Sequence, residues 1–105
     1  MMKEQKKILF QAKEEFNNQN FDKAKILFEE VISINPKNFE ALHAIGLILT
    51  VQKKFSEAIN LFQKSIKISP NYVSANFNLA NALVDSGSYD EAIKYFKKSL
   101  NLSPN

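Results

Sequence analysis

Apolar residues in this chain recur at the three- and four-residue spacing of a helix face. Leu42, Ile45 and Leu49 form one such stripe, and Ile59, Phe62 and Ile66 form the next. Polar clusters interrupt the stripes at regular intervals, and the pattern predicts helices over about 3–18, 22–34, 38–52, 56–68, 72–86 and 90–102. Punctuation agrees with those limits. Asn20 and Asn38 are placed to cap the second and third helices, and Ser88-Tyr89-Asp90-Glu91 reads as a capping box opening the sixth. Gly87, just before it, suits a residue with positive φ that ends the fifth. Proline after every second helix prevents its continuation.

The stripes repeat. Pro36, Pro70 and Pro104 are the chain's prolines and stand 34 residues apart, in the phrases Ile34-Asn35-Pro36, Ile68-Ser69-Pro70 and Leu102-Ser103-Pro104. At that period Phe21, Phe55 and Tyr89 align, as do Ala24, Ala58 and Ala92, and Phe28, Phe62 and Phe96. Ala12, Gly46 and Ala80 supply a small residue in each unit. Gly46 falls inside a helix, where it costs up to about 1 kcal/mol against alanine. A close backbone approach between paired helices is the expected reason for it. The core is expected to include Ala12, Phe21, Ala24, Phe28, Leu42, Ile45, Gly46, Phe55, Ala58, Phe62, Leu79, Ala80, Tyr89, Ala92 and Phe96.

These columns resemble the tetratricopeptide repeat. That family's pattern is a large residue, a Leu-Gly pair, a tyrosine, then Ala, three spacers, Phe, and a later Pro. The second unit has Leu42, Ile45-Gly46, Leu49, Ala58, Phe62 and Pro70; the third has Asn76, Leu79-Ala80, Leu83, Ala92, Phe96 and Pro104. The first has Ile8, Gln11-Ala12, Glu15, Ala24, Phe28 and Pro36. The resemblance implies one all-α domain over residues 1–105, an α-solenoid of three antiparallel hairpins wound as a right-handed superhelix. The repeats would cover about 5–38, 39–72 and 73–105, three being about the minimum for a stable stack.

The two ends differ. Gln11 and Glu15 stand where later repeats have Ile45 and Leu49, or Leu79 and Leu83, which suits a helix with no repeat before it. With Met1-Met2 ahead of it, a natural N-terminus is expected. At the other end Ile93, Phe96 and Leu100 are expected to be partly uncovered. This implies a fragment of a longer protein, or a homo-oligomer formed through the last helix.

Composition narrows the chemistry. The chain has no cysteine and a single histidine, His43, so thiolate zinc sites, disulfides and cysteine nucleophiles are excluded. No zinc-protease, nucleophile-elbow or phosphate-loop motif occurs, and the two glycines are too far apart for a phosphate cradle. No catalytic residue, cofactor or metal is expected. The net charge of +3 comes from lysines interleaved with acids, without arginine, and no nucleic-acid partner is predicted. No apolar run approaches the roughly 20 residues needed to cross a bilayer, so membrane insertion is not expected. With no signal segment, a cytoplasmic location is expected.

The function then belongs to a surface. In the resembled family the first helix of each hairpin lines a concave groove that binds a peptide or partner protein. The positions carried over are Lys6, Leu9, Lys13, Phe16 and Asn17; Glu40, His43, Leu47, Thr50 and Val51; and Ser74, Phe77, Asn81, Val84 and Asp85. Leu9, Phe16, Leu47 and Phe77 are the candidate apolar anchors, with Lys13, His43, Thr50, Asn78 and Asn81 beside them. Asn76 joins Asn78 and Asn81 as a candidate for bonding a ligand backbone. Leu9, Lys13, Ala44, Ser74 and Asn78 do not together form the clamp with which one subclass grips a chaperone's C-terminal carboxylate. Asn78 alone matches the asparagine ladder of repeats attached to sugar transferases, Phe10 and Ala44 replacing it elsewhere. A protein-binding adaptor is the leading expectation; a regulatory or targeting region of a larger enzyme such as a glycosyltransferase is the alternative.

Overall fold

The computed structural model describes residues 2–103, with side chains from Lys3 onward; Pro104 and its place in the third repeat lie outside them. Among the described residues six helices follow in order: α1 (Met2–Asn17), α2 (Phe21–Ile34), α3 (Phe39–Val51), α4 (Phe55–Ile68), α5 (Val73–Asp85) and α6 (Tyr89–Leu102). Consecutive helices pair as hairpins α1–α2, α3–α4 and α5–α6, and the hairpins stack through α2 on α3 and α4 on α5. The stack is about 40 Å long and 23–25 Å across. Each hairpin leaves an apolar flank that only a neighbouring hairpin can bury, and this enforces the stacking.

Burial follows the periodic columns. Ala24, Phe28, Ala58, Phe62 and Ala92 are buried, as are Ala12, Ala80, Leu42, Ile45 and Leu79. Alanine at 24, 58 and 92 lets the helices approach, and the phenylalanines fill the space so defined. Phe21, Phe55 and Phe96 are half-buried. Tyr89 departs from the expectation, being 63% exposed. Phe21 is covered by the Phe16 ring at 5.5 Å, edge to face. The same position holds Thr50 and Val84 in the later repeats, and since Phe55 stays half-buried beside Thr50, loss of that ring alone does not explain the exposure of Tyr89.

Gly46 explains itself differently from the expected backbone contact. A Cβ built there would lie 2.5 Å from Phe62 Cε1 and 2.8 Å from Cδ1, so an aromatic ring occupies the space.

Within each hairpin the turn is made the same way. Gln19, Lys53 and Gly87 have φ of 64°, 62° and 88°. The next residue's amide then closes back on the first helix: Asn20 to Glu15 O, Lys54 to Leu49 O and Ser88 to Leu83 O, at 2.8–2.9 Å. Of the three expected side-chain caps one forms. Asn38 Oδ1 accepts from the Ala41 amide at 3.0 Å. Asn20 and Ser88 cap with no side-chain bond, their ψ of 69° and 68° lying short of extended. Asn20 instead donates to Glu15 Oε2 at 3.2 Å.

Candidate functional site

The junctions between hairpins position the candidate groove residues. Between the first and second hairpins the ties are polar. Gln5 Oε1 accepts from Asn38 Nδ2 at 3.1 Å and from Asn35 Nδ2 at 3.4 Å. Lys13 Nζ reaches Glu40 Oε2 at 3.2 Å, with both side chains about half exposed. Such a pair contributes roughly 0–1 kcal/mol.

Between the second and third hairpins the ties are aromatic. Phe39 meets Tyr72 edge to face at 5.0 Å, and His43 lies 5.1 Å from Tyr72 and 5.6 Å from Phe62. Both imidazole nitrogens are engaged: Nε2 with Asn78 Nδ2 at 2.9 Å and Nδ1 with the Tyr72 hydroxyl at 3.3 Å. With the Asn78 amide donating to Nε2, the ring proton sits on Nδ1 and is donated to Tyr72. A second ring proton would face the Asn78 donor. Burial lowers the His43 pKa from 6.5 to about 4, against a smaller upward pull from Glu40. Burial likewise raises the Tyr72 hydroxyl's pKa, helped by Glu40.

Beside this cluster a cavity of about 180 Å³ opens among Lys13, Phe16, Asn17, Glu40, His43, Ala44, Leu47 and Tyr72, with Phe28 beneath. Of the groove candidates, Lys13, Phe16, His43 and Leu47 therefore come together. Leu9, Phe16 and Leu47 are half-buried and pack on the core. Asn78 stands at the cavity's edge through its bond to His43. Thr50 turns its hydroxyl back onto Gly46 O at 2.9 Å, and Asn81 is half-buried on α5.

Phe77 lies elsewhere. It is 48% exposed, 5.8 Å from the Phe96 ring, and lines a second cavity of about 390 Å³ with Val73, Phe96, Ser99, Leu100 and Ser103. Ile93 and Leu100 are 50% and 61% exposed on the same hairpin, and Phe96 is half-buried. Asn76 is fully buried and donates to Pro70 O and Tyr72 O at 3.1 and 2.9 Å, so it builds the start of α5 and is closed to a ligand. Sequence reasoning did not single out Tyr72. Its signal was available: it stands one period after the capping Asn38, where an aromatic is out of pattern. Among the described residues no cluster of three or more His, Asp or Glu gathers, and no helix is long and apolar enough to cross a membrane.

Three stacked hairpins with alternating alanine and phenylalanine columns define a tetratricopeptide-type repeat protein, a class that serves as protein-interaction modules. The model of the family described as anaphase-promoting complex, cyclosome, subunit 3 matches residues 17–99, and the chain belongs to that family. No curated protein matches the chain. Among solved structures it is similar to a mutant O-GlcNAc transferase of Thermobaculum terrenum, with 29% identity and a TM-score of 0.92 over 96% of this chain. The match spans only 19% of the transferase. It is also similar to MamA, at 25% identity and a TM-score of 0.87, over 95% of this chain and 58% of MamA. A mutant MamA matches at 27% identity and a TM-score of 0.84, over 95% and 73%.

Proposed function

We propose that this chain is a non-catalytic adaptor that holds a peptide segment of a partner protein across α1, α3 and α5. The observation that carries the reading is the cavity among Lys13, Phe16, His43 and Leu47. Phe16, Phe28, Ala44 and Leu47 give it apolar wall beside Asn17, His43 and Tyr72, and its rim bears one cation and one anion in the Lys13–Glu40 pair. An apolar side chain of the ligand would fill the cavity, and the flanking pair would orient the backbone or a charged neighbour. His43, neutral at ordinary pH, adds no charge there. Peptides selected from a displayed library on the immobilised chain provide the test. Phe16→Ala and Leu47→Ala should each weaken the best binder about tenfold or more, or about 1.4 kcal/mol, with helicity unchanged. Equal affinity in both variants sinks the assignment.

A second reading is favoured by the O-GlcNAc transferase match, in which this chain aligns with about a fifth of an enzyme, 19% of its length. Here the chain would be the regulatory or targeting region of a larger protein. The intact mass of the natural gene product decides: a value well above 12.0 kDa supports it, and 12.0 kDa rules it out.

A further inference from the structure

The hydrogen bonds around His43 leave one polar hydrogen unspent beside the cavity between α1 and α3. The Asn78 amide donates to His43 Nε2 at 2.9 Å, and the neutral ring then carries its proton on Nδ1. That proton goes to the Tyr72 hydroxyl oxygen at 3.3 Å. Tyr72 is thus an acceptor toward the ring, and its own hydroxyl hydrogen has no acceptor among the described residues. The tyrosine ring is clamped edge to face by Phe39 and by His43, which fixes where the hydroxyl stands. Burial and the charge of Glu40 raise its pKa, so the hydrogen stays on at ordinary pH. A group of the opposite kind lines the same cavity. Glu40 gives Oε2 to Lys13 Nζ at 3.2 Å, and its Oε1 is unbonded among the described residues.

We propose that Tyr72 is the specificity-determining residue of this groove, and that the partner peptide sets a glutamine side chain in the cavity. Its methylenes lie against Phe16 and Leu47, its carbonyl accepts from the Tyr72 hydroxyl, and its amide nitrogen donates to Glu40 Oε1. A neutral donor and an acceptor lining one cavity match a primary carboxamide, which offers one of each. The inference rests on the groove assignment. It narrows the occupant from a wholly apolar side chain to one that is apolar along its stem and polar at its tip. Leucine in the same place leaves the Tyr72 hydrogen shut away from water and unbonded. Glutamate sets a second carboxylate against Glu40 and offers the Tyr72 site no amide to pair with Oε1. The discrimination comes as much from what these two side chains leave unpaired as from what glutamine gains.

Two measurements test this. Nitrogen-15 spectroscopy of the unliganded full chain is expected to show the His43 proton on Nδ1. A proton on Nε2 means that Tyr72 donates to the ring instead, and overturns the proposal with no ligand involved. The second measurement uses the peptides selected from the displayed library on the immobilised chain, keeping those whose affinity falls with Leu47→Ala. They are expected to share a glutamine, and its exchange for leucine or for glutamate should weaken binding at least tenfold. Tyr72→Phe keeps the ring contacts and removes the donor. The glutamine and leucine peptides should bind that variant equally well, and binding of the leucine peptide shows its groove to be intact. If the variant does not fold, the preference of the parent chain and the ring tautomer decide alone. Leucine bound as tightly as glutamine by the parent, or an unchanged preference in Tyr72→Phe, overturns the proposal and leaves the groove assignment standing. Glutamate bound best overturns it as well, Lys13 then being the group that reads the ligand. Selection of no peptide that depends on Phe16 and Leu47 removes the groove assignment, and this inference with it.

Discussion

Replacing Gly46 with alanine sets two effects of known sign against each other. Alanine in a helix interior gains up to about 1 kcal/mol over glycine. The added methyl would stand 2.5, 2.8 and 3.0 Å from three carbons of the Phe62 ring. Carbon atoms rest about 3.5–4.0 Å apart, so the ring must retreat by roughly 1 Å. Phe62 is fully buried, with the His43 ring 5.6 Å from its own, so retreat means displacing packed neighbours. Overpacking of this kind costs about 1–3 kcal/mol, which exceeds the propensity gain. Gly46→Ala is therefore expected to destabilise the chain by about 1 kcal/mol, read as a lower urea midpoint by circular dichroism at 222 nm. The same change in a Phe62→Leu background should be neutral or stabilising, because the smaller side chain frees the space. Gly46→Ala more stable than the parent, or equal penalties in both backgrounds, would refute the steric account.

Three further outcomes follow from the same geometry. His43 titrates at about 4 in the folded chain and 6.5 unfolded, so its contribution is complete above pH 6.5 and is lost as pH falls toward 4. The loss is at most about 1.4 kcal/mol per pH unit, and His43→Gln, compared with the parent by urea titration at pH 7 and 4.5, should show a shallower decline; identical declines would count against it. Lys53→Gly relieves a left-handed backbone where the third repeat already has Gly87. It should raise stability by about 0.5–1 kcal/mol after glycine's greater unfolded-state entropy is subtracted, a thermal-melt shift upward being the check. Asn38→Ala should cost about 1 kcal/mol and Ser88→Ala a few tenths, since only Asn38 bonds an amide of its helix; equal losses in denaturation would contradict that reading.

The sequence carried the hairpins because their signals are local and repeated. The 34-residue period placed all six helices, and Gly87 announced its turn through the one residue type that adopts positive φ freely. Gln19 and Lys53 make the same turn without any such signal, because the closing backbone bonds hold them there. What stayed hidden depended on neighbours distant along the chain. The reason for Gly46 hangs on a ring 16 residues away. At the candidate groove, the types of Lys13, Phe16 and Leu47 were legible, and so was their helix face. The burial of His43 was not, because it requires Tyr72 and Asn78 to arrive from the next hairpin. Asn76 looked like a ligand contact by type and proved to be bonded to backbone carbonyls at the head of its own helix.

The unlike junctions give the stack a direction. In a linear array the strength of the whole is set by its weakest seam. The seam between the first two hairpins is tied by Gln5 to Asn38 and by a solvent-washed Lys13–Glu40 pair, while the next is closed by interlocked rings around His43. Salt screens the Lys13–Glu40 part of the first tie and leaves the second untouched. Under tension applied at the two ends, the chain should part in sequence: residues 2–34 peel away first, and the remaining four helices hold to a higher load.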